Sequence, residues 1–204
     1  MFDWLANPHR FSRLTGNLQL PLIILSTTMI SLGLYYGLFD SPKDYQQGDA
    51  VRIMYVHVPS AWLASFLYFS LAISCIFYLV WKHPLADLIA NAIAPIGLIF
   101  SVLTLITGSL WGKPMWGTWW VWDARLTSVA ILFIIYLIII FMNLSFENRI
   151  VREKVVAIFI LVGSVNLPIV KFSVDWWNTL HQPATISKLS KPSIDRSEEH
   201  TSEL

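Results

Sequence analysis

The sequence has little of what a soluble globular protein needs. Charged residues make up only 13% of its 204 positions, and the formal net charge is +1. Because there is no run of basic residues, nucleic-acid binding is not indicated. The single cysteine, Cys75, lies in an apolar run, which excludes an intramolecular disulfide and a CxxC motif. The chain has no Walker A motif either, so we do not expect it to hydrolyse ATP.

Apolar residues dominate instead. The hydrophobic fraction is 55% and the mean hydropathy is +0.58, values typical of an integral membrane protein. A helix needs about 20 apolar residues to cross the hydrocarbon core of a bilayer. By that criterion we predict an all-α, multi-span helical bundle that forms a single membrane domain over residues 1–195. The five predicted spans are residues 18–38, 61–81, 88–110, 126–146 and 155–172.

The middle of each predicted span contains no Asp, Glu, Lys or Arg. A small solute channel or transporter would be expected to carry ionisable or helix-breaking residues there. Asn91 and Pro95 in the third span are the nearest candidates, and packing and a helix kink explain them more simply. A transporter is therefore the least favoured of the functions considered.

A tryptophan-rich stretch, residues 111–125, separates the third and fourth spans and holds five of the ten tryptophans. Gly112, Pro114 and Gly117 interrupt it, so we predict that it does not cross the membrane. Tryptophan favours the membrane–water interface because its large apolar ring carries one polar edge. An aromatic belt would account for isolated tryptophans at helix ends, but this density indicates a binding surface at the interface.

The spacing inside this stretch suggests what the surface could bind. Trp116, Trp119 and Trp120 stand at i, i+3 and i+4, so a short helical turn would place them on one face. Asp123 and Arg125 follow directly and supply one anion and one cation. The pattern predicts a platform for a flat, apolar ligand with a charged edge.

Two histidines share a membrane face with this stretch. His57 follows the first predicted span, the tryptophan-rich stretch follows the third, and His181 follows the fifth. Segments that follow odd-numbered spans must lie on the same side of the membrane, whichever way the chain is inserted. Lys and Arg counts do not decide the orientation, although the basic cluster at residues 149–154 and the pair Arg10 and Arg13 favour a cytoplasmic N-terminus.

Two imidazoles and an aromatic platform suit one cofactor in particular. A zinc site usually takes four protein ligands, or three and water, whereas a haem iron needs only two axial ligands beyond its porphyrin. The tryptophans could stack on the porphyrin, and Arg125 or Arg52 could pair with a propionate. Trp177 stands four residues before His181 and would lie beside it in a helix. Taken singly, a histidine at a helix end is more often a solvated or capping residue than a ligand, and Arg125 alone could be an interfacial anchor or a partner for Asp123. It is their joint occurrence on one face that favours haem.

Three motifs carry a family resemblance. The sequence reads WGKPMWGTWWVWDARLT over residues 111–127, RIMYVHVPSAW over residues 52–62 and TLHQP over residues 179–183. Together they resemble the WWD family of haem-handling membrane proteins, and within it the CcmC-type proteins of bacterial cytochrome c maturation. The similarity runs from about residue 14 to residue 195.

The resemblance implies a site. His57 and His181 would be the axial ligands of the iron of haem b. The remaining site residues would hold the porphyrin or dock the haem chaperone CcmE, and they are Trp111, Trp116, Trp119, Trp120, Trp122, Asp123, Arg125 and Arg52.

The resemblance also implies a setting. The protein would lie in the bacterial inner membrane, with its N-terminus cytoplasmic and its haem-binding loops periplasmic. It would deliver haem to CcmE for cytochrome c biogenesis, beside the small subunit CcmD and the ABC-transporter subunits CcmA and CcmB. We expect a haem-transfer protein rather than an enzyme, since no general acid, base or nucleophile is visible. A cytochrome c synthase of the same family is the alternative, but such proteins typically have histidines within their spans, and the predicted spans here contain none.

The C-terminal end departs from the family pattern. Members of the family have a sixth span after the second histidine, and this chain shows no such span. Residues 196–204, RSEEHTSEL, resemble the translation of a sequencing adapter, so we expect them to be a non-native tail after a truncation.

Overall fold

The structure is a computed structural model that describes residues 8–177 and His181. Six α-helices follow one another: α1 (Pro8–Tyr35), α2 (Met54–Trp81), α3 (Pro84–Trp116), α4 (Ala124–Ser145), α5 (Arg149–Gly163) and α6 (Asn166–Trp176). A turn of π-helix, Tyr36–Asp40, continues α1, and a short 3-10 helix, Asp49–Ile53, leads into α2. The predicted tail at residues 196–204 lies outside the described residues.

Five helical segments are long and apolar enough to cross a membrane, which confirms the predicted all-α membrane fold. They are His9–Asp40, Asp49–Trp81, Asp87–Trp116, Ala124–Ser145 and Arg149–Trp176. The fifth is not one continuous helix, because it breaks at residues 164–165 between α5 and α6. Asn166 begins α6 in a buried position, and its side-chain amide donates to the Ser128 carbonyl at 2.9 Å.

Two helix boundaries differ from the predictions and matter for the site. Helix α2 begins at Met54 rather than near residue 61, so His57 lies in its first turn and Pro59 inside it. Helix α3 continues through Pro114 to Trp116 and ends where Gly117 takes a φ of 75°. The prediction that a helical turn places Trp116, Trp119 and Trp120 on one face is therefore wrong, because the helix ends at Trp116.

The core lies between α2, α3, α4 and α5 and is centred on two buried tyrosines. The rings of Tyr68 and Tyr136 meet edge to face with 5.3 Å between their centroids. Each phenol also donates to a carbonyl of another helix, Tyr68 to Ile160 and Tyr136 to Ala64, both at 2.9 Å. A buried phenol in an apolar bundle needs such a partner, and these two bonds fasten three helices together.

Helix α1 contributes almost nothing to this core. Every described side chain from His9 to Tyr36 is exposed, although the helix is strongly apolar. Arg149 marks the end of the bundle away from the tryptophan-rich stretch, where it pairs with Glu153 and Asp87. The residues that concern function lie at the other end.

Candidate functional site

The tryptophan-rich stretch, residues 111–125, closes one end of the bundle as the last turns of α3, a short connection and the start of α4. His57 and His181 lie at this same end. His57 contacts side chains of α3, and His181 contacts the end of α3 and the start of α4. The histidines and the tryptophans thus share one end of the bundle, as the parity of the spans requires.

His57 lies against a single turn of α3. Its Nδ1 atom is 3.0 Å from the Thr107 hydroxyl oxygen, and its ring meets the Trp111 indole edge to face at 5.7 Å. A Cβ placed on Gly108 would come within 3.1 Å of the imidazole Cε1 atom. Glycine at that position therefore lets the ring lie close to the helix backbone. The turn that carries Thr107, Gly108 and Trp111 forms a cradle that sets the position of the imidazole.

The indole of Trp111 is held from a second direction. Its Nε1 atom donates to the Gln47 side-chain oxygen at 2.9 Å. Gln47 belongs to a compact turn in which its backbone N–H donates to the Asp44 carboxylate at 2.7 Å. The connection between α1 and α2 therefore fixes the ring that lies beside His57.

His181 contacts two residues of the tryptophan-rich stretch, one where α3 ends and one where α4 begins. Its Nδ1 atom is 3.0 Å from Oδ2 of Asp123, and its ring meets that of Trp116 edge to face at 4.9 Å. Asp123 is buried and caps α4, because its Oδ1 atom accepts the Leu126 N–H at 2.7 Å. The same carboxylate thereby starts a helix and orients an imidazole.

Burial lowers the pKa of His181 below its usual value of 6.5, although the hydrogen bond and charge of Asp123 oppose that effect. The nearby Arg125 guanidinium lowers the pKa of His181 further. The imidazole is therefore neutral at neutral pH, which is the form that ligates a metal.

The two arginines of the predicted site are placed differently. Arg125 is half-buried at the start of α4, and its guanidinium donates to the Lys171 carbonyl of α6 at 3.4 Å. It is close enough to interact electrostatically with both His57 and His181.

Arg52 is tied to its own connection between α1 and α2. It donates to the Ser41 carbonyl at 2.9 Å and lies 3.5 Å from Asp49. Its buried Nε atom has no hydrogen-bond partner in the part of the chain that the structure describes.

The five tryptophans divide by exposure. Trp111, Trp116 and Trp120 are half-buried, whereas Trp119 is 55% and Trp122 is 80% exposed. Trp120 and Trp122 meet edge to face at 5.4 Å, and the buried Nε1 atom of Trp120 has no hydrogen-bond partner among the described residues.

The Lys113 ammonium restrains the connection after α3. It lies 5.6 Å from the centre of the Trp119 ring and donates to the Gly117 carbonyl at 3.0 Å. Lys113 therefore restrains the exposed Trp119 ring, which with Trp122 provides open indole surface, whereas the other three indoles are partly enclosed.

One predicted neighbour is replaced by another. Helix α6 ends at Trp176, and Trp177 has an extended backbone and packs against Trp176 with 5.8 Å between ring centroids. The predicted helix that would place Trp177 beside His181 therefore does not include Trp177. Residues 178–180 lie outside the described part. The indole beside His181 is that of Trp116.

The sequence reasoning missed Thr107, Gly108 and Gln47. Thr107 stands four residues before Trp111 in a helical, otherwise apolar segment, so a polar side chain on the same face was a usable signal. Gln47 had no such signal, because its contact with Trp111 spans 64 positions of sequence.

The chain is similar to proteins of one family. Residues 1–200 match the family described as CcmC, Heme exporter protein C. Heme exporter protein C of Bradyrhizobium diazoefficiens is 50% identical over 193 residues, which cover 95% of this chain and 73% of that protein. Heme exporter protein C of Haemophilus influenzae is 48% identical over 197 residues, covering 95% and 80%. A putative cytochrome c biosynthesis ccmC-like mitochondrial protein of Marchantia polymorpha is 51% identical over 160 residues, covering 78% and 68%.

Proposed function

Because the chain belongs to the Heme exporter protein C family, we propose that it binds haem through His57 and His181 and delivers it to the haem chaperone CcmE. The family handles haem for cytochrome c maturation. The cargo would be haem b, held at the periplasmic face of the bacterial inner membrane. CcmD and the ABC-transporter subunits CcmA and CcmB would be the other partners.

The placement of the two imidazoles carries the proposal. His57 and His181 come from segments that are far apart in sequence, yet both lie at the same end of the bundle, and each touches an indole of one tryptophan-rich stretch. Each also has its Nδ1 atom against an oxygen of the protein. Such a contact is typical of metal-ligating histidines, because it orients the ring and leaves Nε2 as the ligating nitrogen.

The surroundings of the imidazoles suit a porphyrin. The half-buried indoles of Trp111 and Trp116 stand beside them, and further indole surface lies in the same connection. Arg125 lies within electrostatic range of both imidazoles and could neutralise a propionate. The buried Nε1 atom of Trp120 is a further donor without a partner in the described part of the chain.

The distribution of charge supports the proposed orientation. Arg149, Arg152 and Lys154 lie in α5, which starts at the end of the bundle away from the tryptophans. Cytoplasmic loops are enriched in Lys and Arg, so that end would face the cytoplasm and the histidines would face the periplasm.

The test is the absorption spectrum of the protein purified in detergent from cells that make haem. Two imidazole ligands give a low-spin spectrum with sharp bands after reduction. We expect His57→Ala and His181→Ala to lose this spectrum and most of the bound haem, whereas His83→Ala, a histidine between α2 and α3 at the other end of the bundle, keeps both.

Delivery is measured separately, as the amount of haem covalently bound to co-expressed CcmE. The same two histidine variants should reduce it to background. A double variant that kept the parent's haem content and its delivery to CcmE would disprove the proposal.

A further inference from the structure

The two histidines assigned to haem iron are held by different kinds of oxygen. The Nδ1 atom of His57 lies 3.0 Å from the hydroxyl of Thr107, whereas that of His181 lies 3.0 Å from the carboxylate of Asp123. The distances are equal, but the acceptors differ in charge. This difference has consequences for the strength of each imidazole as a ligand.

The direction of the Thr107 hydrogen bond follows from a count of protons. A threonine hydroxyl has one hydrogen, and that of Thr107 points to the Leu103 carbonyl, 2.6 Å away in the preceding turn of α3. Its oxygen can therefore only accept from His57. The Nδ1 atom of His57 thus carries the ring hydrogen, and Nε2 presents its lone pair.

The same tautomer is required at His181. A carboxylate has no hydrogen to donate, and the Oδ1 atom of Asp123 already accepts the Leu126 N–H at 2.7 Å. Its Oδ2 atom accepts from Nδ1 of His181, so the ring hydrogen is again on Nδ1 and Nε2 is the nitrogen that would ligate iron. A carboxylate acceptor draws the Nδ1 hydrogen more strongly than a hydroxyl, and this makes the imidazole a stronger electron donor.

We propose that Thr107 and Asp123 are positioning residues, each of which selects Nε2 of its histidine for iron; this inference rests on the proposed function. Because the hydroxyl is the weaker acceptor of the two, His57 is the ligand that is released first. Haem would remain on His181, the better donor, while the His57 side of the iron accepts another ligand. Such an order allows transfer to an acceptor without loss of haem to solution.

The exchange step conserves electrons. The bond between iron and Nε2 of His57 breaks, and its electron pair returns to the imidazole nitrogen. An incoming ligand then donates one electron pair to the vacated position. The oxidation state of the iron does not change, and no proton moves, because Nδ1 keeps its hydrogen bond to Thr107.

Carbon monoxide is a suitable probe, since it binds reduced haem only after an axial ligand has left. In Thr107→Val the hydroxyl is replaced by a methyl group of similar size, so His57 loses the hydroxyl acceptor and keeps only its weaker contact with the backbone of Thr104. Loss of such an outer contact weakens metal binding about tenfold or more. We therefore expect CO to bind to the reduced Thr107→Val protein about ten times faster than to the parent.

Two variants control for altered packing. Thr107→Ser keeps the hydroxyl and should restore the parent's rate of CO binding. Ser101→Ala removes a buried hydroxyl that donates to the Leu98 carbonyl, nearly two turns earlier on the same helix, and should leave the rate unchanged.

The C–O stretching frequency of the CO complex identifies the histidine that stays. It depends on the ligand on the opposite side of the iron, which the inference assigns to His181. Asp123→Asn keeps an oxygen to cap α4 but removes the negative charge, so it should shift this band and make the reduction potential more positive. Thr107→Val should leave the band where it is in the parent.

The outcomes separate this inference from the proposed function. A parent protein that binds no haem would overturn both. A parent with a low-spin spectrum, combined with equal CO rates for Thr107→Val and the parent, would overturn the inference alone. So would a C–O band that moved in Thr107→Val and not in Asp123→Asn.

Discussion

The Nδ1 atom of His181 lies 3.0 Å from Oδ2 of Asp123, across 58 positions of sequence. Asp123 is also the N-cap of α4, since its other oxygen accepts the Leu126 N–H. One carboxylate therefore joins the start of a membrane-spanning helix to the second histidine. Stability of the helix end and orientation of the imidazole depend on the same side chain, so a change at this position affects both.

The two roles of Asp123 can be separated by substitution. Asparagine caps helices as well as aspartate does, whereas alanine costs about 1 kcal/mol at an N-cap. We expect Asp123→Ala to lower the thermal unfolding temperature in detergent, and Asp123→Asn to stay close to the parent. Both variants should bind haem more weakly, because both lose the carboxylate. Equal unfolding temperatures for Asp123→Ala and the parent would contradict the capping role.

The sequence was sufficient for the fold class and the family, and both are confirmed. Hydrophobic runs of about 20 residues define membrane helices whatever they pack against. Helix ends were less predictable. Pro59 suggested a helix start, yet α2 begins at Met54, because the preceding 3-10 turn continues directly into it. Pro114 and Gly112 suggested a break, yet α3 ends only at Trp116.

The partners of the site residues could not be predicted from local pattern. Spacing relates residues of one helix, so it could propose that Trp177 lies beside His181. It could not propose Trp116, which belongs to a different helix, α3, and is distant from His181 in the sequence. The Gln47 contact with Trp111 and the Asp123 contact with His181 depend in the same way on how helices pack. The assignment of the site residues to haem remains a prediction.

Haem binding should depend on pH through His181. Its pKa in the folded protein lies below 6.5, chiefly because it is buried. Between that lowered pKa and 6.5 the unfolded chain binds a proton that the folded protein does not, so folding stability rises with pH in this window and is constant above it. Iron competes with the proton for Nε2, so bound haem extends to lower pH the range in which His181 stays unprotonated.

We therefore expect the low-spin spectrum to remain unchanged when the pH is lowered from 8 to 6.5, the usual pKa of histidine. Loss of haem should begin only at lower pH. Spectra recorded across the titration, with return to neutral pH as a test of reversibility, provide the measurement. Half-loss of the spectrum at or above pH 6.5 would show that His181 is not protected by burial.

The helix contact at Gly97 should be essential for stability. A Cβ at this position would overlap the Tyr136 ring, whose hydroxyl donates to the Ala64 carbonyl. Overpacking of this kind typically costs 1–3 kcal/mol. We expect Gly97→Ala to unfold at a clearly lower temperature than the parent. Gly33→Ala is the matched control, because that glycine of α1 has no atom within 4 Å of an added Cβ. Equal melting of the two variants would refute the close contact.

Exposure predicts different roles for two tryptophans of the same stretch. Trp122 is 80% exposed, whereas Trp116 is half-buried against His181. Large exposed aromatic residues are frequent anchors in protein–protein contacts, while a half-buried indole beside an imidazole is placed to support the ligand. We expect Trp122→Ala to keep the parent's haem content but to transfer less than a tenth as much haem to CcmE.

Trp116→Ala should instead lower the haem content of the purified protein, and the amount of haem transferred to CcmE should fall in the same proportion. The informative quantity is the ratio of haem on CcmE to haem on the purified protein, measured from the same cells. That ratio should drop for Trp122→Ala and stay near the parent's value for Trp116→Ala. If both variants lost haem equally and the ratio did not change, both indoles would hold the porphyrin. Docking of CcmE would then have to involve other residues.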